Sequence, residues 1–327
     1  MMRIFRLFIT LLVLVPTTLV WAQTTTPAPT KTPAVAPTAI ENEAVSTQTP
    51  ALEAPLARAY TQEDLSVLVG NVQRPNGFVW FNGYLYTACN GDFTLYEVDA
   101  TSGQTITFVY GVRNAYTLFA EETAQGFNLW IPDFDTDRIL LVDQRRRQPR
   151  EMVSGLSAPW GIAYLDERSF LVTNFRGNNI VKATREGEVS PVLDGLRSPA
   201  GIVVHDNIVY YVNNGSTRRA IEWFSLYEDV PQAKPLLSGL ESTTNLIIGD
   251  DNHLYFAYAL GTRGVVGRIN PQECLNGGCN NEQVEIVVYT DLQAPLAGLT
   301  LSPDMELYVH TIYRPEIYTV DLMPTTP

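Results

Sequence analysis

Short runs of apolar residues alternate with polar and glycine-containing turns along most of this chain. In one representative segment the apolar runs cover residues 161–164, 170–173, 180–183 and 189–193. Runs of this length, rich in β-branched and aromatic residues and bounded by Gly, Pro, Asn and Asp, are typical of strands. Because no stretch of this region shows a convincing helical periodicity, the pattern predicts an all-β domain.

The strands are organised by a repeated phrase: Gly-Leu, two linking residues, and Pro-x-Gly. Two copies are intact, at residues 155–161 and 195–201, and degenerate copies lie at 72–77, 111–114, 239–244 and 291–296. The aligned positions are Pro75, Asn114, Pro159, Pro199, Thr243 and Pro295. Neighbouring copies are 39 to 52 residues apart, the usual size of one four-stranded propeller blade. Six copies therefore predict a six-bladed β-propeller.

The two ends of the repeat region are complementary. Residues 66–70 match the outer-strand phrases at 191–195 and 235–239, whereas the last copy stops at its third strand, 317–321. A blade that lacks its outer strand would leave unpaired backbone groups at an edge. We therefore predict that the N-terminal strand completes the last blade. Deleting residues 64–70 should then unfold the domain, whereas deleting 24–57 should not.

Two segments precede the propeller. Residues 1–23 combine two arginines, an apolar run and small residues before a cleavage point near Ala22, as in a secretory signal peptide. Residues 24–57, rich in Thr, Pro and Ala, are predicted to be a disordered linker, either a stalk or a plain spacer. The propeller is assigned to 58–323 and a tail to 324–327. We expect a secreted, periplasmic or cell-surface protein that contacts a membrane only if the signal segment is uncleaved.

The charge of the chain argues against one class of partner. It carries 22 Lys and Arg against 35 Asp and Glu, a net charge of −13. Nucleic-acid binding needs clustered basic residues, and only the run Arg145-Arg146-Arg147 offers them. This run lies between two predicted strands and is interpreted as a solvated loop. We expect a monomer that binds a small molecule or a protein at the channel mouth, and no nucleic acid.

The three cysteines have different predicted roles. Cys274 and Cys279 flank a turn-forming segment in a loop longer than its counterparts, and export to an oxidising compartment favours a disulfide between them. A zinc knuckle would need two more thiols or imidazoles nearby, and the sequence has none there. Cys89 is left over and is predicted to be a buried free thiol.

The repeat units resemble the NHL repeat, whose pattern is Pro-x-Gly, an apolar strand, a turn, and a second strand followed by a polar loop with Asn and Arg. The best matches lie at residues 159–180 and 129–139, and the resemblance covers about residues 64–322. More broadly, the chain is similar to the six-bladed superfamily of gluconolactonase-type and strictosidine-synthase-type propellers. The resemblance implies a closed ring but no single activity, since propellers serve as enzymes, receptors and scaffolds.

Propeller ligands bind at the mouth of the central channel, near the loops that join second and third strands. Aligned second strands place these residues at one equivalent position: Cys89, Asp133, Asn174, Asn214, Tyr258 and Thr311. The candidate ligand-binding residues of this rim are Asn76, Trp160, Asn174, Arg176, Asn214, Tyr258, Arg263 and Arg314. The alternative for any one Asp or Asn here is a structural role, in which it accepts hydrogen bonds from neighbouring turns.

Gluconolactonase-type members hold a divalent cation in the channel, so the resemblance implies calcium as a candidate cofactor. The ligands implied here are Asn76, Asp133, Asn174 and Asn214. Asp133 and His310 are the candidate catalytic residues. The early Glu of that family has no counterpart in this sequence. We therefore expect an exported ligand-binding or protein-interaction module, with a calcium-dependent lactonase or esterase as the alternative.

Overall fold

The computed structural model describes residue 56 and residues 58–323. Contacts divide the chain into two units, residues 1–51 and 52–327, and every described residue belongs to the second. The predicted signal peptide, the linker apart from residue 56, and the tail at 324–327 lie outside the described residues. None of the described helices has the length and apolar character needed to cross a bilayer.

The first half of the described region contains one leading strand and three blades. A short 3-10 helix (Gln62–Asp64) precedes strand β1 (Ser66–Val69). Blade 1 consists of β2 (Pro75–Phe81), β3 (Tyr84–Cys89), β4 (Thr94–Asp99) and β5 (Thr105–Tyr110). Blade 2 consists of β6 (Phe119–Thr123), β7 (Gly126–Asp133), β8 (Arg138–Asp143) and β9 (Arg150–Val153). Blade 3 consists of β10 (Pro159–Asp166), β11 (Ser169–Asn174), β12 (Asn179–Thr184) and β13 (Val189–Leu193).

The second half contains three more blades and one insertion. Blade 4 consists of β14 (Pro199–His205), β15 (Ile208–Asn213), β16 (Ile221–Ser225) and β17 (Lys234–Ser238). Blade 5 begins with β18 (Leu246–Ile248), β19 (Leu254–Leu260) and β20 (Arg263–Ile269). The insertion contains α1 (Pro271–Cys274), β21 (Cys279–Asn280) and a 3-10 helix (Asn281–Gln283). After it come β22 (Glu285–Gln293), which ends blade 5, and the strands of blade 6, β23 (Leu296–Leu301), β24 (Glu306–Thr311) and β25 (Ile317–Asp321).

The described strands form six sheets, each built around an antiparallel four-stranded order. This confirms the predicted six-bladed β-propeller. In blades 1 to 5 the four strands follow one another along the chain. In the sixth sheet the order is β1-β25-β24-β23, with Ser66 opposite Thr319 and Val67 opposite Tyr318. The first and last strands of the described region therefore share one sheet.

The repeated phrase forms the turn into each inner strand. In three blades the residue before that strand has a positive φ of 53°, 50° or 50°: Arg74, Ala158 and Ser198. In blade 5 Ser242, with a φ of 48°, lies in the turn that precedes β18. Asn114 matches Ala158, because its carbonyl accepts from Phe134 N as that of Ala158 accepts from Phe175 N. Leu296 faces Thr311 as Pro159 faces Asn174. The sequence alignment at Asn114 and Pro295 was therefore wrong by one residue, and the correct positions are Ala115 and Leu296.

Apolar and aromatic side chains fill the spaces between neighbouring blades. Trp130 of blade 2 and Phe170 of blade 3 lie 4.8 Å apart between ring centroids and belong to one buried cluster. Arg185 crosses the same junction, donates to both oxygens of Glu121 at 2.6 and 2.7 Å, and lies 4.6 Å from the Phe170 ring centroid. Because such contacts hold each blade to the next, the loops at the ends of the strands stand on a rigid support.

The insertion in blade 5 reaches across to blade 4. Its short strand β21 pairs in parallel with β17, Leu237 facing Cys279, so blade 4 gains a fifth strand. Cys274 and Cys279 are joined by a disulfide within this insertion. Cys89 is a free and fully buried thiol in blade 1, and burial raises its pKa above the usual value.

Candidate functional site

The ends of the second strands define the rim from which a ligand site was predicted. Pro159 lies opposite Asn174 in blade 3, and Pro199 lies opposite Asn213 in blade 4. The position equivalent to Asn174 is therefore occupied by Asn213, and the alignment at Asn214 was wrong by one residue. Asn214 lies in the following loop, where its Nδ2 donates to the Thr243 carbonyl at 2.9 Å.

Three side chains at this strand-end position hold the preceding loop in place. Each accepts a hydrogen bond from a backbone N–H: Asp133 from Arg113 (2.9 Å), Asn174 from Ser157 (3.1 Å) and Asn213 from Arg197 (3.0 Å). Asp133 also accepts from Asp135 N at 3.3 Å, and Asn174 donates to Asn179 at 3.0 Å. Burial raises the pKa of Asp133, although the backbone donors lower it. These contacts support the structural alternative for Asp133 and Asn174.

The predicted calcium ligands are partly engaged in other hydrogen bonds. Asn76, Asp133, Asn174 and Asn214 belong to four different blades, and each uses at least one polar atom in a separate hydrogen bond. Among the described residues, no three Asp, Glu, His or Cys side chains are close enough to hold a metal ion together. A calcium site that depends on carboxylates therefore does not fit the residues present.

His310 was predicted to line the channel, but the structure buries it completely. Its Nδ1 lies 2.9 Å from the Thr311 carbonyl oxygen, and its Nε2 contacts the Asn76 carbonyl oxygen. The ring centroid is 5.5 Å from that of Phe78, so the imidazole fills the junction between blades 6 and 1. Burial lowers its pKa, although the two carbonyl contacts raise it. This position is not that of a catalytic residue exposed to substrate.

A second buried residue, Asn245, closes the channel between the blades. Its Oδ1 accepts from Trp160 Nε1 of blade 3 at 3.0 Å. Its Nδ2 donates to the Ala297 carbonyl of blade 6 and, at 3.4 Å, to the Tyr116 carbonyl, just before β6 of blade 2. Asn245 itself directly precedes β18 of blade 5. Contacts from one residue to these three blades require that its side chain crosses the central axis.

Trp160, which donates to Asn245, also belongs to an aromatic cluster. Its ring stacks on Tyr116 with centroids 3.7 Å apart and planes 7° apart, and also on Phe175 at 5.1 Å. Arg176 lies 5.0 Å from the Phe134 ring, which meets Trp160 edge-on. The predicted rim residues Trp160 and Arg176 therefore lie in the same part of the rim.

The two other predicted rim residues, Tyr258 and Arg263, differ in their surroundings. Tyr258 is 7% exposed and packs against Phe256 at 6.0 Å, and burial raises its pKa to about 12. Arg263 forms an exposed ion pair with Asp291 at 3.3 Å. Tyr258 belongs to the same buried core cluster as Trp160 and Phe134, whereas the described contacts of Arg263 place it outside that cluster.

A cleft of about 670 Å³ opens between blades 6 and 1 on the rim. The loop at 70–74 and the loop at 312–315 form its two sides, and Asn76, Asn90 and Tyr116 also line it. The cleft therefore brings together two predicted residues, Asn76 and Arg314. Tyr116 links it to the aromatic cluster, because one face of this ring stacks on Trp160.

The cleft contains two hydrogen-bond acceptors without partners. Asn76 Oδ1 and Asn90 Oδ1 are buried and accept no hydrogen bond within the described part of the chain. The amide of Asn76 is fixed in orientation, because its Nδ2 donates to Asn114, whose own Nδ2 donates to Asp135 at 3.4 Å. A buried acceptor that stays unpaired costs roughly 1–3 kcal/mol. A ligand that donates hydrogen bonds here would recover this free energy.

Positive charge surrounds these acceptors. Arg74 and Arg314 line the cleft, and both are exposed and without an ion pair among the described residues. The cleft is therefore a basic spot on an acidic protein. Neither Tyr116 nor Arg74 was predicted from the sequence. Once the register at Ala115 is corrected, Tyr116 occupies the same position after the turn as Asn76 and Trp160.

No protein-family model and no curated protein matches this chain. Solved structures do match it. A gluconolactonase from Xanthomonas campestris is 13% identical with a TM-score of 0.60 over 78% of this chain and 88% of that one. Regucalcin from Agrobacterium tumefaciens, described as a calcium-binding protein, is 12% identical with a TM-score of 0.59 over 81% of this chain and 95% of that one. A streptogramin B lyase is 16% identical with a TM-score of 0.56 over 78% and 96%. These similarities show that this chain shares the fold of these proteins.

Proposed function

We propose that this protein is an exported ligand-binding propeller whose ligand occupies the cleft between blades 6 and 1. The observation that carries the proposal is the pair of buried, unpartnered acceptors, Asn76 Oδ1 and Asn90 Oδ1. Buried polar groups in folded proteins nearly always have a hydrogen-bond partner. Two exceptions in the wall of one cleft favour a partner supplied by a ligand.

The chemistry of the cleft limits the class of ligand. Amide oxygens accept hydrogen bonds, so the ligand presents hydroxyl or N–H groups towards Asn76 and Asn90. The guanidinium groups of Arg74 and Arg314 suit a carboxylate, which they bind with charge-assisted hydrogen bonds. Tyr116 adds an aromatic side chain to the lining of the cleft. A small hydroxy acid or amino acid has all of the required groups.

The alternative, a calcium-dependent lactonase or esterase, receives support from two structural relatives, one a gluconolactonase and the other described as a calcium-binding protein. Both are under 25% identical to this chain. The residues of this chain favour the binding role, because Asp133 is engaged by two backbone N–H groups and the early Glu is missing.

The binding role is tested with the full chain by isothermal titration calorimetry against a panel of hydroxy acids and amino acids. We expect at least one compound to bind, and Asn90→Ala to weaken its affinity by about tenfold or more, as expected for a lost buried hydrogen bond. Gln104→Ala is the matched control, because Gln104 is exposed and lies outside the cleft. Binding that is equally strong in Asn90→Ala would refute the assignment of this cleft.

Elemental analysis separates the two functions. One tightly held calcium per chain, lost in Asp133→Ala and accompanied by hydrolysis of lactones, would establish the enzyme and overturn the binding proposal. Ligand binding that is independent of calcium, without turnover of lactones or esters, would support it.

A further inference from the structure

A second pocket lies on the opposite face of the propeller, at blade 2. Strand β7 ends at Asp133 on the rim that carries the cleft, and it begins at Gly126 on the other face. Residues 123–128 and 141–150 surround a pocket of about 460 Å³ at that beginning. The pocket is therefore separated from the cleft by the length of the blade.

The loop that forms one side of this pocket is held in shape by two of its arginines. Asp143 accepts from the backbone N–H of Arg145 at 3.1 Å and from Arg147 Nε at 2.7 Å. Arg146 pairs with Glu97 at 3.2 Å and lies 5.0 Å from the Phe108 ring centroid. Arg146 and Arg147 are thus used in fixing the loop.

The other two arginines of this segment are uncommitted. Arg145 and Arg150 line the pocket, and both are exposed. Neither side chain has an ion pair or a hydrogen bond within the described region, in contrast to Arg146 and Arg147. In a chain with a net charge of −13, two unpaired guanidinium groups at one pocket form a local positive field.

The remaining lining suits a hydroxylated molecule. Gln144 and Gln148 line the pocket, and their side-chain amides can donate to and accept from hydroxyl groups. Phe127 adds an aromatic side chain to the lining. Guanidinium groups bind carboxylate and sulfate groups through paired N–H donors. We infer that this pocket binds an anionic saccharide, with the acidic group held by Arg145 and Arg150. This inference does not depend on the function proposed for the cleft.

The inference is tested by calorimetry on the full chain with three probes of equal length: a hexuronate trisaccharide, its neutral hexose counterpart and a sulfated trisaccharide. We expect one or both acidic probes to bind and the neutral probe to bind at least about tenfold more weakly. The double variant Arg145→Gln, Arg150→Gln should bind the acidic probes at least about tenfold more weakly than the wild type does. A preference between the two acidic probes identifies the acidic group. Raising the salt concentration should weaken the interaction, since it depends on charge.

Arg218→Gln is the matched control. It makes the same substitution, and removes one of the two charges that the double variant removes, at an exposed arginine that has no ion pair among the described residues and lies outside the pocket. Unchanged unfolding midpoints would show that the double variant is folded. The inference is overturned if no acidic probe binds, if the neutral probe binds as tightly as the acidic ones, or if Arg218→Gln weakens binding as much as the double variant does.

Discussion

The hydrogen bonds of Asn245 offer a direct test of how the blades are held together. Its amide bonds to Trp160, Ala297 and Tyr116, which belong to or adjoin three other blades. In Asn245→Ala the Trp160 Nε1–H and the Ala297 carbonyl lose these partners while remaining buried. We therefore expect a loss of stability much larger than that of an average polar substitution.

The magnitude follows from these two groups. Each buried polar group left without a partner costs roughly 1–3 kcal/mol, so the two together should lower the free energy of unfolding by about 4 kcal/mol. The hydrogen bond to Tyr116, at 3.4 Å, is long and adds little. Trp160→Phe removes the indole donor alone. Trp160→Phe should therefore lower the free energy of unfolding by about 1 kcal/mol less in the Asn245→Ala background than in the wild type.

Urea unfolding followed by tryptophan fluorescence and circular dichroism measures these values, with Gln104→Ala as the exposed control. The reasoning would be refuted if Asn245→Ala cost less than about 1 kcal/mol, the scale of one ordinary hydrogen bond. Strict additivity of the two substitutions would equally show that Asn245 and Trp160 do not act as a pair.

The remaining predictions concern the stability of the fold at low pH and the effect of two deletions near the N-terminus. Burial raises the pKa of Asp251, but hydrogen bonds from His253 and Tyr255 lower it further, to about 2. Because the folded-state pKa lies below the unfolded value, this carboxylate stabilises the fold above pH 3.8, and that stability is lost as the pH falls towards 2. The stability difference between wild type and Asp251→Asn should therefore shrink by about 2 kcal/mol between pH 5 and pH 2 in urea titrations. Deleting residues 64–70 should abolish cooperative unfolding, whereas deleting 24–57 should leave the urea midpoint unchanged.

The blade number could be predicted from sequence because each blade repeats the same turn and the same strand lengths. Errors of one residue occurred where the phrase is degenerate, at Asn114 and Pro295, and in the loop at Asn214. There the alignment depended on residue type alone, whereas the structure fixes register through backbone pairing. A shift of one residue also exchanges the two faces of a strand, so small errors of this kind decide which side chain reaches the rim.

The candidate site was harder to predict, because its parts come from loops that are distant in sequence. Asn76 and Arg314 were both predicted, yet nothing in the sequence indicates that they share one cleft. That proximity exists because β1 and β25 lie in the same sheet, beside blade 1. The calcium site stays a prediction for a related reason. Residue type suggested oxygen ligands, but the number of free oxygens depends on local hydrogen bonds that a repeat pattern does not show.

Asn245 could have been recognised in the sequence, since it replaces a glycine of the repeat. A Cβ atom at Gly77 would lie 2.1 Å from the Tyr116 backbone, and one at Gly161 would lie 2.5 Å from the Ala200 carbonyl, so these inner strands need glycine at this position. Asn245 occupies the same position in blade 5, because Leu246 faces Phe256 as Ile162 faces Val172. Two blades have a side chain at this position. Thr117 of blade 2 donates to the Trp160 carbonyl of blade 3 at 2.8 Å, and Asn245 of blade 5 bonds to Trp160 Nε1 and to the Ala297 carbonyl. A polar residue in place of the repeat glycine therefore marks a side chain that links blades, and this is the signal by which Asn245 could have been singled out from the sequence.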